Sequence, residues 1–108
     1  MKAVRISKHG GLDALTYDDI PEPDCPPDKV KIHVKAAAIN HLDIWVRKGL
    51  PGMPVSLPLI LGSDASGTIV EVGSQVHNFQ TGNDVVIQPG TFCTNCHHCK
   101  DRKENYCS

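Results

Sequence analysis

The sequence predicts a mainly β domain, a small and partly open β-barrel with short helices. The chain of 108 residues has the length of one domain. Short apolar runs are separated by turns that contain glycine or proline about every ten residues, as in small barrels. Aromatic residues make up only 5% of the chain. The core must therefore come from aliphatic side chains, many of them β-branched, and these favour strands.

The N-terminal third is predicted to form a hairpin followed by an extended loop. Residues 1–8 and 15–20 are predicted strands, and the glycines at 10 and 11 mark the turn between them. Four prolines between positions 21 and 27 make the next stretch a loop, because proline fixes φ and cannot donate to a β-ladder. Cys25 lies in that loop without a cysteine close in sequence, and we assign it no role.

Residues 30–38 give the clearest strand prediction. Apolar side chains at every second position, from Val30 to Ala38, alternate with Lys31, His33 and Lys35. We therefore expect one buried face and one hydrated face.

A short helix is predicted for residues 40–48. Asn40 is a good N-cap residue, and Asp43 lies three positions later, close to a capping box. Leu42, Trp45 and Val46 share one face, and we expect Trp45 to belong to the core. Gly49 supplies the stop.

The second half contains two further predicted strands, at residues 68–72 and 85–88. Three prolines make residues 50–58 a loop. Gly62 and Gly67 are expected to bracket a tight turn before the first strand, and Gly73 to end it.

Four of the five cysteines fall within fifteen positions, in the pattern C-x2-C-x2-C-x7-C. Two-residue gaps let neighbouring thiolates turn back on one centre, so the pattern predicts one tetrahedral zinc. Four sulfur ligands leave no open position for substrate, so this zinc should be structural. The ligands are Cys93, Cys96, Cys99 and Cys107. His97 and His98 could substitute as ligands, but we expect them to be exposed.

Two other interpretations of the cysteines are weaker. The bacterial ferredoxin pattern closes its last gap with three residues and a proline, whereas this gap has seven residues and no proline follows. Disulfides need an oxidising compartment, and charged residues occupy the N-terminus where a signal peptide would be apolar. A reducing cytoplasm is the expected location.

Charge and hydropathy exclude two classes of partner. The net charge is −1 with the two signs mixed along the chain, so nothing suggests nucleic acid or an anionic membrane. No apolar run approaches the ~20 residues of a membrane helix.

Several motifs together resemble the N-terminal domain of the medium-chain dehydrogenase/reductase family, which includes zinc-type alcohol dehydrogenases and quinone reductases. The family hallmark Gly-His-Glu-x2-Gly-x5-Gly-x2-Val has its counterpart in Gly62-Ser63-Asp64, Gly67, Gly73 and Val76. The structural-zinc signature fits the four clustered cysteines, and Gly82-Asn83-Asp84-Val85 fits the Gly-Asp-x-Val turn before it. The resemblance covers essentially all 108 residues. It implies a GroES-like barrel, with a zinc lobe at 90–108, forming one wall of a cleft against a Rossmann domain that binds NAD(P).

Three departures concern the family's second, catalytic zinc. The positions of its cysteine and histidine ligands are Asn40 and Ser63 here, and the proton-relay hydroxyl is replaced by Leu42. An amide and a hydroxyl bind zinc poorly, and leucine cannot pass a proton. Asp64 retains a carboxylate, one carbon shorter than the family's glutamate. The resemblance therefore favours the quinone-reductase branch, which works without catalytic metal.

That branch transfers hydride from NADPH to a quinone or an activated C=C bond, and hydrogen bonds stabilise the developing oxyanion. By resemblance, Asn40 would face nicotinamide and a small carbonyl, quinone or enone substrate, with Asp64 and Asp43 behind it. His41 would lie near the cofactor pyrophosphate. A structural role as helix caps is the competing interpretation of Asn40 and Asp43. The full-length protein could also form homo-oligomers.

Three functional hypotheses remain open. The chain is the catalytic-domain portion of a quinone-reductase-like enzyme, a zinc alcohol dehydrogenase with His41 and Asp64 as unusual ligands, or a non-enzymatic zinc-stapled β-module. The Gly-x-Gly-x-x-Gly cofactor fingerprint is absent from these residues. We therefore expect the chain to be part of a longer polypeptide, with the Rossmann domain elsewhere, and to be inactive alone.

Overall fold

The computed structural model describes residues 1–52 and 54–107. Its strands form two three-stranded antiparallel sheets, so the prediction of a mainly β fold is confirmed, although the sheets do not close into a barrel. Met53, in the predicted loop, and Ser108, the last residue of the predicted zinc lobe, lie outside the described residues.

The predicted hairpin, the long strand and the helix are all present. The two-residue strand β4 was not predicted, because it is defined only by its pairing with β1. The elements are β1 (Lys2–Ile6), β2 (Leu15–Asp19), β3 (Val30–Ala38), α1 (His41–Lys48), β4 (Leu59–Ile60), β5 (Asp64–Val72), β6 (Asp84–Val86) and α2 (His97–Lys100), with 3₁₀ turns at Leu12–Ala14 and Glu104–Tyr106.

The first sheet has the strand order β2-β1-β4 and supplies most of the buried core. Ile6 is fully buried, and Ala3 on the same strand and Ala14 in the turn after it are buried as well. An ion pair of 2.6 Å joins Arg5 Nε to Asp18 Oδ2 across the two strands. The hydrogen bond from Arg5, with a second from Thr16, lowers the pKa of the Asp18 carboxyl.

The second sheet has the order β3-β5-β6, and β5 is longer than predicted. The expected tight turn between Gly62 and Gly67 is wrong, because Asp64 pairs with Ala38 and the ladder continues from there. Gly67 instead lies where the backbones of β3 and β5 approach closely at a β-bulge. A Cβ at Gly67 would overlap the His33 carbonyl oxygen and lie 2.9 Å from Ile32 Cγ2.

The expected buried face of β3 is only partly buried. Val30 and Ile32 are half-buried, but Val34 is 52% exposed and the alanines after it are exposed as well. The strand packs mainly through its hydrogen-bonded neighbour β5. The Cα radius of gyration is 15.8 Å, against roughly 13 Å for a compact domain of this size. The apolar face of β3 from Val34 to Ala38 is therefore not covered by another element in the described chain.

Helix α1 is anchored by polar groups rather than by its apolar face. Trp45 is 50% exposed, so its assignment to the core is wrong, and Leu42 on the same face is 41% exposed. Arg47 is the buried residue of the helix, and its Nη1 donates to the Gly10 carbonyl at 3.2 Å. The Gly10 N–H donates in turn to the Arg47 carbonyl at 3.0 Å. These contacts hold the end of α1 on the loop that follows β1.

Candidate functional site

The four predicted cysteine ligands converge in the structure. Their Sγ atoms all lie within 4.8 Å of one another. Cys93 and Cys99 are 3.9 Å apart, and Cys96 and Cys99 are 3.5 Å apart. A tetrahedral zinc with bonds of about 2.3 Å needs sulfurs about 3.8 Å apart. The cluster therefore has the size and donor set that a zinc site with four thiolate ligands requires.

Local backbone geometry creates this cluster. The N–H groups of Asn95 and Cys96 donate to Cys93 Sγ at 3.4 and 3.2 Å, which folds the first C-x2-C turn around that sulfur. Cys96 is the N-cap of α2, and α2 carries Cys99. The Cys93 N–H donates to Cys107 Sγ at 3.2 Å and so connects the last cysteine to the first.

Two residues of this lobe have a left-handed backbone. Arg102 (φ 58°) occupies the position after α2 where glycine is usual, and Lys103 N–H donates to the His98 carbonyl at 2.8 Å. Thr94 (φ 61°) lies in the first C-x2-C turn, and a β-branched residue is unfavourable there. No other non-glycine residue in the described chain has a positive φ. Backbone strain is thus concentrated beside the sulfurs, a feature that the cysteine spacing does not reveal.

The thiols of the cluster differ in acidity. Hydrogen bonds from the Asn95 and Cys96 N–H groups lower the pKa of Cys93 to about 6. Burial, with the neighbouring Cys96 sulfur, raises the pKa of Cys99 to about 12. Four thiolates so close together repel one another, and a bound divalent cation is what would keep all four deprotonated.

His97 and His98 lie beside the cluster but are not needed to complete it. Their rings are 3.7 Å apart between centroids, and the His98 ring lies 5.9 Å from that of Tyr106. His97 is exposed and His98 is half-buried. The four sulfurs form the only group of three or more His, Cys, Asp or Glu ligands found in residues 1–52 and 54–107.

The second candidate region joins the start of α1 to the start of β5. Asn40 Nδ2 donates to Asp64 Oδ2 at 2.9 Å, across 24 positions of sequence. The Asn40 N–H donates to Asp43 Oδ2 at 2.8 Å, and the Asp43 N–H donates to the Asn40 carbonyl at 3.0 Å. All three residues are half-buried. The Asn40 backbone thus begins the helix, while its side-chain amide reaches Asp64.

His41, the predicted cofactor contact, is exposed at the first position of α1. Its ring meets that of Trp45 edge to face, with centroids 5.0 Å apart and planes at 70°. His41 and Asp64 do not join a metal-sized group of ligands in the described part of the chain. The hypothesis that they replace the missing catalytic-zinc ligands therefore has no support from this geometry.

A shallow groove of about 420 Å³ lies beside Asp64, over the ends of β3, β5 and β6. Small apolar side chains form most of its surface. Sequence analysis missed this feature, although the run of three alanines before Asn40 was a signal for it. The lining residues are Ala36, Ala37, Ala38, Asp64, Ala65, Ser66, Val86 and Ile87.

Comparison with known proteins identifies a family and relatives that share this fold and these motifs. The model of the alcohol dehydrogenase GroES-like domain family matches residues 26–108. An NAD-dependent alcohol dehydrogenase from Sulfolobus acidocaldarius is 31% identical over 112 aligned positions, which cover 99% of this chain and 32% of that protein.

Solved structures of two kinds resemble this chain. A crystal structure of an NAD-dependent alcohol dehydrogenase has a TM-score of 0.91 at 43% identity, covering 99% of this chain and 31% of the other. Escherichia coli quinone oxidoreductase complexed with NADPH has a TM-score of 0.77 at 32% identity, covering 84% of this chain and 28% of the other.

These matches define the class as the N-terminal, GroES-like type of domain found in medium-chain dehydrogenases and reductases. The chain belongs to the alcohol dehydrogenase GroES-like domain family. It spans about a third of the length of the curated relatives that it matches. In the described residues, no helix is both long enough and apolar enough to cross a membrane.

Proposed function

We propose that this chain is the substrate-side domain of an NAD(P)-dependent, quinone-reductase-like oxidoreductase with one structural zinc and no catalytic zinc. The observation that carries the proposal is the hydrogen bond between Asn40 Nδ2 and Asp64 Oδ2. By resemblance, these two residues stand at or beside the position where zinc-type alcohol dehydrogenases hold their working ion. An amide bonded to a carboxylate there leaves no set of zinc ligands.

The structural zinc would be held by Cys93, Cys96, Cys99 and Cys107. Bound there, the ion supplies no chemistry to substrate, because four thiolates fill its coordination sphere. Its effect is to fold residues 90–107 around one point. Their helices are too short to be stable by themselves, since α2 has only four residues.

The substrate site would be built around Asn40 and Asp64. Asp64 accepts one N–H of the Asn40 side-chain amide and so fixes its orientation, which leaves the second N–H free to donate to a carbonyl oxygen. Such a donor would stabilise the negative charge that develops on the oxygen of a quinone or enone during its reduction, for which bound NAD(P)H would supply the hydride. His41, exposed beside them, would contact the cofactor pyrophosphate.

In the whole enzyme, a second domain would form the other wall of the substrate cleft. Curated relatives are about three times as long as this chain, and we propose that a C-terminal Rossmann domain binds NAD(P) against the exposed side of α1 and the groove beside Asp64. The substrate would be a small molecule, and homo-oligomers are compatible with the resemblance. The five cysteines are unpaired, which fits a reducing cytoplasm.

A zinc alcohol dehydrogenase is the second candidate. The alcohol dehydrogenase structure covers 99% of this chain, whereas the quinone oxidoreductase covers 84%. Against it stand Asn40, Ser63 and Leu42, which replace two ligands and the proton relay of that branch. These three residues outweigh the difference in coverage, because they take part in the reaction itself, whereas coverage reports only how much of the fold is shared. A non-enzymatic module is the third candidate.

The complete polypeptide that carries this chain should oxidise NAD(P)H with a quinone or enone acceptor. Asn40→Ala should lower kcat by roughly 10²-fold, the usual effect of removing one oxyanion donor. Asn78→Ala, at an exposed position, is the matched control and should leave the rate unchanged. Stopped-flow measurement of hydride transfer separates this effect from binding. Alcohol oxidation that depends on a second zinc would favour the alternative, and turnover by residues 1–108 alone would contradict the need for a partner domain.

A further inference from the structure

The four sulfurs of the zinc lobe are unequally accessible. Cys93 is exposed, Cys96 and Cys107 are half-buried, and Cys99 is buried at 9% exposure. The close sulfur pair of Cys96 and Cys99, at 3.5 Å, contains no exposed member. A dissolved oxidant therefore meets Cys93 first. The buried Cys99 sulfur lies 3.9 Å behind it, within reach for a disulfide after a small movement.

We propose that Cys93 is an oxidation site through which hydrogen peroxide opens the zinc lobe, with Cys99 as the resolving thiolate. This inference rests on the structural zinc of the proposed function, but it does not depend on the reaction that the enzyme catalyses. Peroxide would then control whether the zinc lobe stays folded, so the lobe would respond to the redox state of its surroundings.

The chemistry balances with peroxide as the oxidant. The Cys93 thiolate attacks one oxygen of hydrogen peroxide, the O–O bond breaks, and Cys93 sulfenic acid and hydroxide form. The Cys99 thiolate then attacks the Cys93 sulfur, an S–S bond forms, the S–O bond breaks, and a second hydroxide leaves. Two thiolates lose two electrons and peroxide gains them. Only Cys96 and Cys107 then remain to hold zinc, and two ligands bind it too weakly to retain it.

Loss of zinc should change the backbone conformation of the lobe. Thr94 and Arg102 hold left-handed backbones next to the sulfurs, a conformation that is unfavourable for a residue with a Cβ. Both can relax once zinc no longer holds the four sulfurs on one centre. Oxidation of Cys93 should therefore loosen residues 90–107 as a unit.

Cys25 provides an internal control within the same chain. It is half-buried, and its Sγ lies 3.5 Å from the Lys29 carbonyl oxygen and 3.9 Å from those of Pro26 and Glu71. Because Cys25 is less exposed than Cys93, it should react more slowly with peroxide.

The test begins with the zinc content of the purified protein, which must be one per chain before peroxide is added. A chromogenic chelator then follows zinc release during titration with peroxide, and peptide mapping identifies the first disulfide. We expect a disulfide between Cys93 and Cys99 to form in step with zinc release while Cys25 stays reduced. Reduction with a phosphine and added zinc should restore the lobe. If the purified protein contains no zinc at the start, that result contradicts the structural zinc of the proposed function, on which the oxidation site also depends.

A variant separates the site from its neighbours. Cys93→His keeps four zinc ligands, since sites with three cysteines and one histidine are common, but removes the exposed sulfur. Its zinc release by peroxide should be about tenfold slower or more. Release at the wild-type rate would overturn the proposal. So would a first disulfide that lacks Cys93 or joins it to a sulfur other than Cys99, or a lobe that stays reduced after Cys25 is oxidised.

Discussion

Gly67→Ala should destabilise the domain by about 3 kcal/mol or prevent folding, which is more than most point mutations do. The added Cβ would overlap the His33 carbonyl oxygen and lie 2.9 Å from both the His33 carbonyl carbon and Ile32 Cγ2. Two of these atoms belong to the backbone of β3 and cannot rotate away. Relief requires the β3–β5 ladder to separate at its bulge. Urea unfolding followed by circular dichroism measures the change.

Gly90→Ala is the matched control for this substitution. Its Cβ would meet only Gln88 Nε2 at 3.5 Å, an ordinary contact, and Gly90 has no positive φ. The control should change the free energy of unfolding by less than about 0.5 kcal/mol. If Gly67→Ala were as mild as the control, the close approach of β3 and β5 would be disproved.

Removal of zinc should unfold residues 90–107 while both sheets persist. Structural zinc contributes on the order of 10 kcal/mol to small zinc-dependent folds, far more than a four-residue helix and a 3₁₀ turn can replace. The sheets depend on Ile6, Ala3 and Ile69, none of which lies in the lobe. Hydrogen exchange after chelation should show near-complete loss of amide protection in α2 and little change in β5.

Cys25→Ser and Cys99→Ser form the control pair for that experiment. Cys25 lies outside the cluster, so its substitution should leave zinc binding and lobe protection intact. Cys99→Ser should reproduce the effect of the chelator. Protected amides in α2 without metal would mean that the lobe folds without zinc.

The elements that sequence analysis predicted well are those with strong local signals. β3 follows from a long alternation of apolar and polar residues, and α1 from Asn40, Asp43 and Gly49 at its ends. The cysteine cluster follows from spacing, because two-residue gaps restrict where the sulfurs can point. The family followed from glycines and cysteines whose order and spacing are kept between Gly62 and Cys107, and the family-model match to residues 26–108 confirms it.

The features that sequence analysis missed depend on contacts between residues that are distant in sequence. The expectation that Trp45 is buried failed because an amphipathic pattern shows which side chains share a face and not whether another element covers that face. The tight turn before residue 68 failed because Asp64 pairs with Ala38, 26 residues earlier. The resemblance placed Asp64 behind Asn40, but their hydrogen bond was not predicted, since neither residue has a local signal for the other.

Metal analysis of the purified chain, combined with X-ray absorption at the zinc edge, tests the central claim most directly. We expect one zinc per chain with four sulfur ligands at about 2.3 Å, and no second metal near Asn40 or Asp64. Two zincs per chain, with nitrogen or oxygen ligands on the second, would contradict the absence of a catalytic ion. A chain that binds no zinc would contradict the structural site.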